Sequence, residues 1–157
     1  MIVDSNHLNQ QEPVHRHTLS KGTELHEYRI ESVLGRPGSF GITYLAMDVN
    51  LQKHVAIKEY LPSDFAVREG VCTVHVKSES LRDSFDWGLE CFEREAQVLA
   101  RFNHPNIVRV LRFFKLNETA YLVMEYQEGL SLTEYLQQHG PLAQQDLLGV
   151  VLPSLMA

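Results

Sequence analysis

The chain has 157 residues, the length of one ordinary domain, and its formal net charge of −6 argues against a nucleic-acid-binding protein. Apolar residues make up 44% of the sequence, which is enough to bury a core and predicts a folded domain rather than a disordered chain. No apolar run resembles a signal peptide or approaches the length of a membrane span. The two cysteines lie far apart without CxxC spacing, which indicates reduced thiols in a cytoplasmic protein.

The eight histidines raise the question of a metal site. His15 and His17 are the closest pair, but they lie in a polar stretch with no cluster of further candidate ligands. Because a zinc site needs three or four converging ligands, we predict no metal site in this chain.

The N-terminal half of the chain reads as a polar tail followed by short strands. Residues 1–25 show no apolar period and predict a flexible N-terminal tail. Alternating and β-branched residues then predict three strands joined by short links, at 28–34, 42–46 and 54–59. A long connection follows at 60–83, in which two apolar runs around Arg68-Glu69-Gly70 indicate a small hairpin.

The second half begins with the strongest helical pattern of the chain, at 84–102. Its apolar residues recur at three- and four-residue steps and form one stripe, namely Phe85, Leu89, Phe92, Ala96, Leu99 and Phe102. Ser84, or Ser80 together with Asp83, is predicted to cap its start, and Pro105 follows its end.

Two further strands are predicted at 107–116 and 120–126, followed by a short helix that Ser131 caps and a last helix at 142–156. The element order predicts an α+β fold. It consists of a five-stranded antiparallel sheet with one main packed helix, followed by two C-terminal helical segments.

Three glycines, Gly35, Gly38 and Gly41, lie between the first two predicted strands. Glycine lets the backbone approach a ligand closely, and Lys58 nearby supplies a positive charge, so the stretch suggests a phosphorylated ligand, most simply a nucleotide. Rossmann and Walker loops both need a helix after the glycines, whereas residues 42–45 read as a strand. A flap between two antiparallel strands is the protein-kinase arrangement, although the glycines alone also fit a plain hairpin turn.

Lys58 ends the apolar run Val55-Ala56-Ile57, where an unpaired lysine reaching solvent is the ordinary alternative. Glu95 lies beside the apolar stripe of the main helix, and a carboxylate in that position is costly unless it is paired. Lys58 is the obvious cation. Glu93 flanks the other edge of the stripe, so the helical geometry alone does not choose between the two glutamates.

Together these segments resemble the protein kinase superfamily, specifically bacterial Ser/Thr kinases of the eukaryotic type. The matching segments follow the order of the family from Tyr28 to Ala157, and they are LGRPGSFGITYLA, VAIK, FEREAQVLARF, HPNIV and LVMEYQEGLSL. The resemblance implies a kinase N-lobe with its hinge at 26–127, including the insert at 60–83, and the start of a C-lobe at 128–157.

The resemblance also implies that the lobe binds ATP, with Lys58 on the α- and β-phosphates and Glu95 holding Lys58 in place. The remaining implied ATP-binding residues form the flap over the phosphates, the walls of the adenine site, the gatekeeper and the hinge. They are Gly35, Gly38 and Gly41; Leu34, Thr43 and Ala56; Met124; and Glu125, Tyr126 and Gln127.

Two departures from the family pattern concern the flap and the adenine site. The glycine loop reads G-x-x-G-x-x-G, one residue longer than usual, with Pro37 inside it. Thr43 stands where valine usually packs on adenine.

The catalytic loop, the DFG segment and the A-P-E segment of the family are absent from the sequence. These motifs supply the base and the Mg²⁺ ligands, so we expect the isolated chain to be inactive and to bind ATP weakly. We also expect a half-exposed Lys58–Glu95 pair that contributes about 1 kcal/mol or less. The expected partners are ATP and a protein substrate, or a missing C-lobe or docking protein. The alternative function is a catalytically inactive kinase-like protein-interaction module.

Overall fold

A computed structural model of the protein describes residues 17–142. Residues 1–16 of the predicted tail lie outside this range, as does all but the first residue of the helix predicted at 142–156.

An antiparallel sheet of six strands forms the centre of the fold, in the spatial order β1-β2-β3-β4-β8-β7. The strands are β1 (Glu24–Leu25), β2 (Tyr28–Gly38), β3 (Gly41–Asp48), β4 (Lys53–Tyr60), β7 (Val110–Leu116) and β8 (Thr119–Glu125). All five predicted strands are present, and the two-residue β1 adds an edge. Strand β7 begins later than the predicted residue 107, because the Ile107 N–H closes a turn onto the carbonyl of His104.

The insert contains the predicted hairpin, which forms a separate two-stranded sheet of β5 (Ala66–Glu69) and β6 (Thr73–Val76). Gly70 turns the chain with φ at 65°, a conformation that side chains rarely adopt. The Val74 N–H donates to the carbonyl of Asn117 at 2.9 Å, which ties the hairpin to the turn between β7 and β8.

The main helix, α1 (Arg82–Leu99), packs on one face of the sheet through most of its predicted stripe, with Phe85, Phe92 and Ala96 buried. Phe102, the last residue of the predicted stripe, lies beyond the helix and is 48% exposed. The predicted caps are wrong. A 3₁₀ turn at Glu79–Leu81 runs directly into the helix, so Leu81 occupies the cap position and no side chain caps the helix.

The C-terminal end of α1 also differs from the predicted residue 102. The N–H groups of Arg101 and Phe102 bond to carbonyls three residues back, which tightens the last turn and ends the α-helix at Leu99.

The predicted tail boundary at residue 25 is wrong, since Leu19 and Leu25 are only 3% and 0% exposed and belong to the core. The Leu19 N–H also donates to the hydroxyl of Tyr44 on β3. Isolated leucines in a polar stretch give no period, so the sequence pattern did not reveal this packing.

Helix α2 (Leu132–His139) begins at the predicted cap. The Ser131 hydroxyl accepts from the Glu134 N–H, and the Glu134 carboxylate accepts from the Ser131 N–H, which completes a capping box. Neither helix of the described range has the combination of length and apolarity that crossing a membrane requires.

Candidate nucleotide-binding site

The central strands bring five of the predicted site residues onto one face of the sheet. Leu34 on β2 lies opposite Thr43 on β3, and Thr43 lies opposite Lys58 on β4. Ala56, two residues before Lys58, lies opposite Met124 on β8. Directly opposite residues of antiparallel strands share a face, as do residues two apart along a strand, so all five side chains project together.

Helix α1 lies on this same face. Tyr60, two residues after Lys58 on β4, packs its ring against Phe92 of α1 with centroids 5.7 Å apart. The Lys58 ammonium lies 5.5 Å from the centroid of the Phe92 ring and 3.3 Å from Oε1 of Glu95. The side chains of Lys58 and Glu95 are 34% and 49% exposed, so the pair is half exposed, as expected.

Glu93, the alternative partner, forms a different ion pair. Its Oε2 lies 2.7 Å from Nζ of Lys115 on the edge strand β7. The two glutamates lie on opposite flanks of the α1 stripe, and the structure pairs Glu95 with Lys58. The lysine is therefore not an unpaired strand end.

The glycine loop forms a flap between strands, since Gly38 at the end of β2 pairs with Gly41 at the start of β3. Ser39 and Phe40 make the turn between them, and a strand rather than a helix follows Gly41. This context excludes the helix-based phosphate sites for this loop.

The extra residue of the loop is accommodated in a bulge. Between the pairs Leu34–Thr43 and Gly38–Gly41, residues 35–37 of β2 lie opposite the single residue Ile42. The bulge begins at Gly35, whose φ of 66° lies in the left-handed region that glycine adopts without strain.

Gly41 has a packing reason to be glycine. A Cβ at Gly41 would lie 2.1 Å from the backbone oxygen of Glu59, whereas a Cβ at Gly38 would meet nothing closer than 3.7 Å. The close approach of β3 to β4 at the base of the flap therefore requires a residue without a side chain at position 41.

The predicted hinge follows the end of β8 at Glu125. The Glu125 N–H donates to the carbonyl of Arg109 at 2.9 Å, so this donor is already engaged. Tyr126 meets the ring of His54 edge-on at 6.2 Å, and Gln127 is exposed.

The sequence profile of the protein kinase domain matches residues 28–155. The chain belongs to the protein kinase family.

Similar sequences include the serine/threonine-protein kinase PrkC of Bacillus subtilis. It is 35% identical over 124 residues, which are 79% of this chain and 16% of PrkC. The probable serine/threonine-protein kinase PknB of Lactococcus lactis is 28% identical over 130 residues, covering 83% of this chain and 18% of PknB.

Among solved structures, PpkA-294 in its apo form is similar with a TM-score of 0.75 and 36% identity, covering 78% of this chain and 43% of that one. The PknI kinase domain of Mycobacterium tuberculosis shares the fold, with a TM-score of 0.59 and 22% identity, covering 85% of this chain and 47% of that one. The kinase N-lobe architecture predicted from the sequence is confirmed. The chain spans less than half of each of these relatives.

The kinase lobe also contains a buried charged cluster that the sequence analysis did not predict. Glu59, on the face of β4 opposite to Lys58, is 0% exposed and accepts hydrogen bonds from the hydroxyls of Tyr44 and Tyr121 at 2.9 and 2.8 Å. Arg68 of the insert hairpin donates to Glu59 at 2.5 Å and, through Nε, to the carbonyl of His17 at 2.9 Å.

Electrostatics in this cluster keep Tyr44 and Tyr121 neutral and Arg68 charged. Burial, followed by the Glu59 charge, raises the pKa of Tyr44 and Tyr121 far above the usual range, so both tyrosines remain neutral donors. Burial lowers the pKa of Arg68, but the Glu59 carboxylate more than offsets this effect and the pKa of Arg68 rises. The sequence carried one signal for this cluster. Glu59 is a lone carboxylate in an otherwise apolar strand, and a buried carboxylate needs a charged or hydrogen-bonding partner.

The residues present fit a nucleotide. The site face offers half-buried apolar side chains in Leu34 and Met124, the small Ala56, the Lys58 ammonium and the backbone of a glycine flap. Across residues 17–142, no three His, Cys, Asp or Glu side chains converge as metal ligands.

Proposed function

We propose that this kinase lobe binds ATP on the sheet face that carries Lys58, beneath the glycine flap. The ion pair of 3.3 Å between Lys58 and Glu95 is the observation that carries the proposal. It fixes the ammonium beside the flap, where Lys58 is placed to contact the α- and β-phosphates. The backbone at Gly35, Gly38 and Gly41 covers the phosphates.

The adenine base belongs farther along the same face in this proposal. Leu34 and Ala56 form its walls, with the Thr43 methyl group replacing the usual valine contact. Met124 is the gatekeeper at the back of the pocket. The remaining free backbone groups of the hinge at 125–127 hydrogen-bond the base.

Ser/Thr protein kinases transfer the γ-phosphoryl group of ATP to a Ser or Thr hydroxyl. We propose the same reaction for a complete domain that contains this lobe. Mg²⁺ bound to ATP neutralises phosphate charge in that reaction. In the lobe itself, Lys58 orients the nucleotide and Glu95 orients Lys58. The sequence carries no HRD or DFG motif, so we propose that the 157-residue chain binds ATP without phosphorylating protein. Two free thiols suit a reducing compartment, and a cytoplasmic location is part of the proposal.

Titration of the purified chain with Mg-ATP by calorimetry tests the binding proposal. We expect a Kd weaker than micromolar, because the lobe provides one wall of the adenine site. Lys58→Ala should weaken binding by about tenfold or more, since it removes a charged hydrogen bond to phosphate.

Lys115→Ala is the matched control, because it removes the other sheet-to-α1 ion pair and leaves the nucleotide site intact. Equal Kd values for the wild type and Lys58→Ala would refute the assigned site. No binding at all would favour the inactive interaction module. Peptide phosphorylation that disappears in Lys58→Ala would refute the proposed inactivity.

A further inference from the structure

A cavity of about 240 Å³ lies between the tip of the flap, β4, the insert and α1. We call it the α1 pocket. Its walls are mainly aromatic and apolar, and they include Phe40, Tyr60, Phe65, Trp87, Cys91 and Phe92.

Lys58 and Glu95 also line the α1 pocket, so it adjoins the proposed phosphate contacts, but it contains none of the proposed adenine walls. The pocket and the adenine site both adjoin Lys58, but they extend from it in opposite directions along β4. The adenine walls include Ala56, two residues before Lys58, whereas the pocket includes Tyr60, two residues after it.

Large apolar side chains of the pocket face solvent. Phe40 is 73% exposed and Trp87 is 66% exposed. Exposed apolar groups rimmed by polar residues mark binding surfaces, and tryptophan is enriched at the centre of protein interfaces.

Carboxylates lie beside the pocket on α1, since Asp83 and Glu90 are four and three residues from Trp87 and neighbour it on the helix surface. Asp83, Asp86 and Glu90 are exposed on the first turns of α1, and none of them forms an ion pair with any residue at 17–142. Arg82 is the one basic residue among them on this part of the helix.

Asp86 is close enough to act on the pocket wall, and the lysines near the pocket are engaged. Burial is the main cause that raises the pKa of Tyr60 in the pocket wall to about 12, and the nearby Asp86 carboxylate adds to this effect. The nearby lysines are engaged, since Lys58 pairs with Glu95 and Lys77 donates to the carbonyl of Ser63 at 2.6 Å.

We propose that the α1 pocket binds a peptide segment that inserts one aromatic or large aliphatic side chain and carries Lys or Arg on either side of it. A cavity of about 150 Å³ holds benzene, so this larger cavity accommodates such a side chain. The basic flanks meet the unpaired carboxylates of α1, and opposite charges also speed association. An acidic segment would face repulsion from the same carboxylates.

The chain carries its own reporter for this binding, because Trp87 is its single tryptophan. The full chain, without nucleotide, is titrated with the peptide acetyl-Lys-Arg-Phe-Leu-Arg-Lys-amide while Trp87 emission is recorded. We expect a saturable blue shift, because the inserted side chain removes water from the indole. Omitting nucleotide keeps this outcome independent of the proposed ATP site.

Two peptides and a salt series test the proposed chemistry. The peptide with Glu at all four basic positions keeps the apolar anchor, and the peptide with Ser-Gly in place of Phe-Leu keeps the charges. Both should bind at least about tenfold more weakly than the parent. Raising the salt concentration should weaken the parent, since exposed charges are screened. Equal binding of the acidic peptide would overturn the proposal.

Variants then locate the site by calorimetry. Asp83→Lys combined with Asp86→Lys should weaken the parent peptide by about tenfold, whereas Glu128→Lys, an exposed reversal after the hinge, should leave its Kd unchanged. Cys91→Phe fills the pocket and should abolish binding. Phe40→Ser removes an exposed wall of the pocket and should also weaken binding. It replaces Cys91→Phe as the test if that variant does not fold.

Unchanged affinity in the charge reversal and in Phe40→Ser would overturn the proposal. Sedimentation of the peptide-free chain gives a further outcome. Self-association that the same variants abolish would assign the pocket to a second copy of the chain, and the basic peptide proposal would fall.

Discussion

At the scale of single residues, the buried pair of Glu59 and Arg68 joins three parts of the chain. Their side chains are 0% and 3% exposed, and Arg68 links the insert hairpin to β4 and to the backbone at His17. Removing one partner of a buried pair leaves the other charge uncompensated, which costs more than the pair itself contributes.

Arg68→Met should therefore lower the free energy of unfolding by about 3–5 kcal/mol. The control is Arg29→Met, which removes an exposed pair with Glu24 at 3.6 Å and should cost about 1 kcal/mol or less. Urea unfolding followed by circular dichroism measures both. Similar small losses in the two variants would show that Arg68 does not stabilise the lobe through Glu59.

Tyr60 gives the lobe a pH dependence at alkaline pH. Its hydroxyl donates to the carbonyl of Phe85 at 3.0 Å, and its pKa is raised to about 12, mainly by burial. The unfolded chain has a tyrosine pKa of about 10, so above that pH the unfolded state loses a proton that the folded state keeps. The contribution of Tyr60 is thus complete below pH about 10 and is lost as the pH rises towards 12.

Between pH 10 and 11.5, the free energy of unfolding of Tyr60→Phe should decrease by about 1 kcal/mol less than that of the wild type. Tyr44 and Tyr121 retain their own raised pKa values, so the fall should be reduced and not abolished. Denaturant midpoints at several pH values test this, and identical slopes in the two proteins would contradict it.

At the scale of elements, the two glycines that pair at the tip of the flap have different reasons to be glycine. Gly41 lies so close to β4 that a side chain would overlap the backbone of Glu59, whereas the surroundings of Gly38 are open.

Gly41→Ala should therefore destabilise the lobe by about 1–3 kcal/mol, because the strands must shift apart. Gly38→Ala should leave stability unchanged or raise it slightly, because alanine restricts the unfolded chain. Thermal unfolding of the two variants separates the cases. A larger loss in Gly38→Ala than in Gly41→Ala would contradict the packing argument.

The main helix illustrates which local features a sequence can predict. Its apolar stripe predicted the side that packs on the sheet, since Phe85, Phe92 and Ala96 are buried. Its predicted caps were wrong because the chain enters α1 through a 3₁₀ turn, which supplies the preceding turn without a side-chain cap. Ser80 and Ser84 are good cap residues by local chemistry. The start of the helix is set instead by how the insert approaches it, and that approach depends on tertiary contacts.

At the scale of the whole molecule, strand register brings the proposed site residues together from distant parts of the chain. Leu34, Thr43, Lys58 and Met124 come from four strands and share one face. The resemblance to the kinase family pointed to these residues. Hydrophobic periodicity alone locates strands but does not say which residues of different strands lie opposite each other.

The opposite face of the sheet was not predictable in the same way. Glu59, Arg68 and Leu19 meet there through the insert and the N-terminal segment, and no local pattern specifies such contacts. Likewise, the helical wheel left Glu93 and Glu95 as alternative partners of Lys58. In the folded lobe Lys115 on β7 pairs with Glu93, and Lys58 pairs with Glu95.

The central claim is that ATP binds beneath the flap and beside Lys58, and the most direct test is a ¹H–¹⁵N correlation spectrum of the labelled chain titrated with Mg-ATP. We predict that amide shifts concentrate at the flap (35–41), at Lys58 and at the hinge (125–127), while the insert hairpin (66–76) stays unchanged. Shifts concentrated in the insert hairpin, or an unchanged flap and hinge at saturating Mg-ATP, would contradict the account.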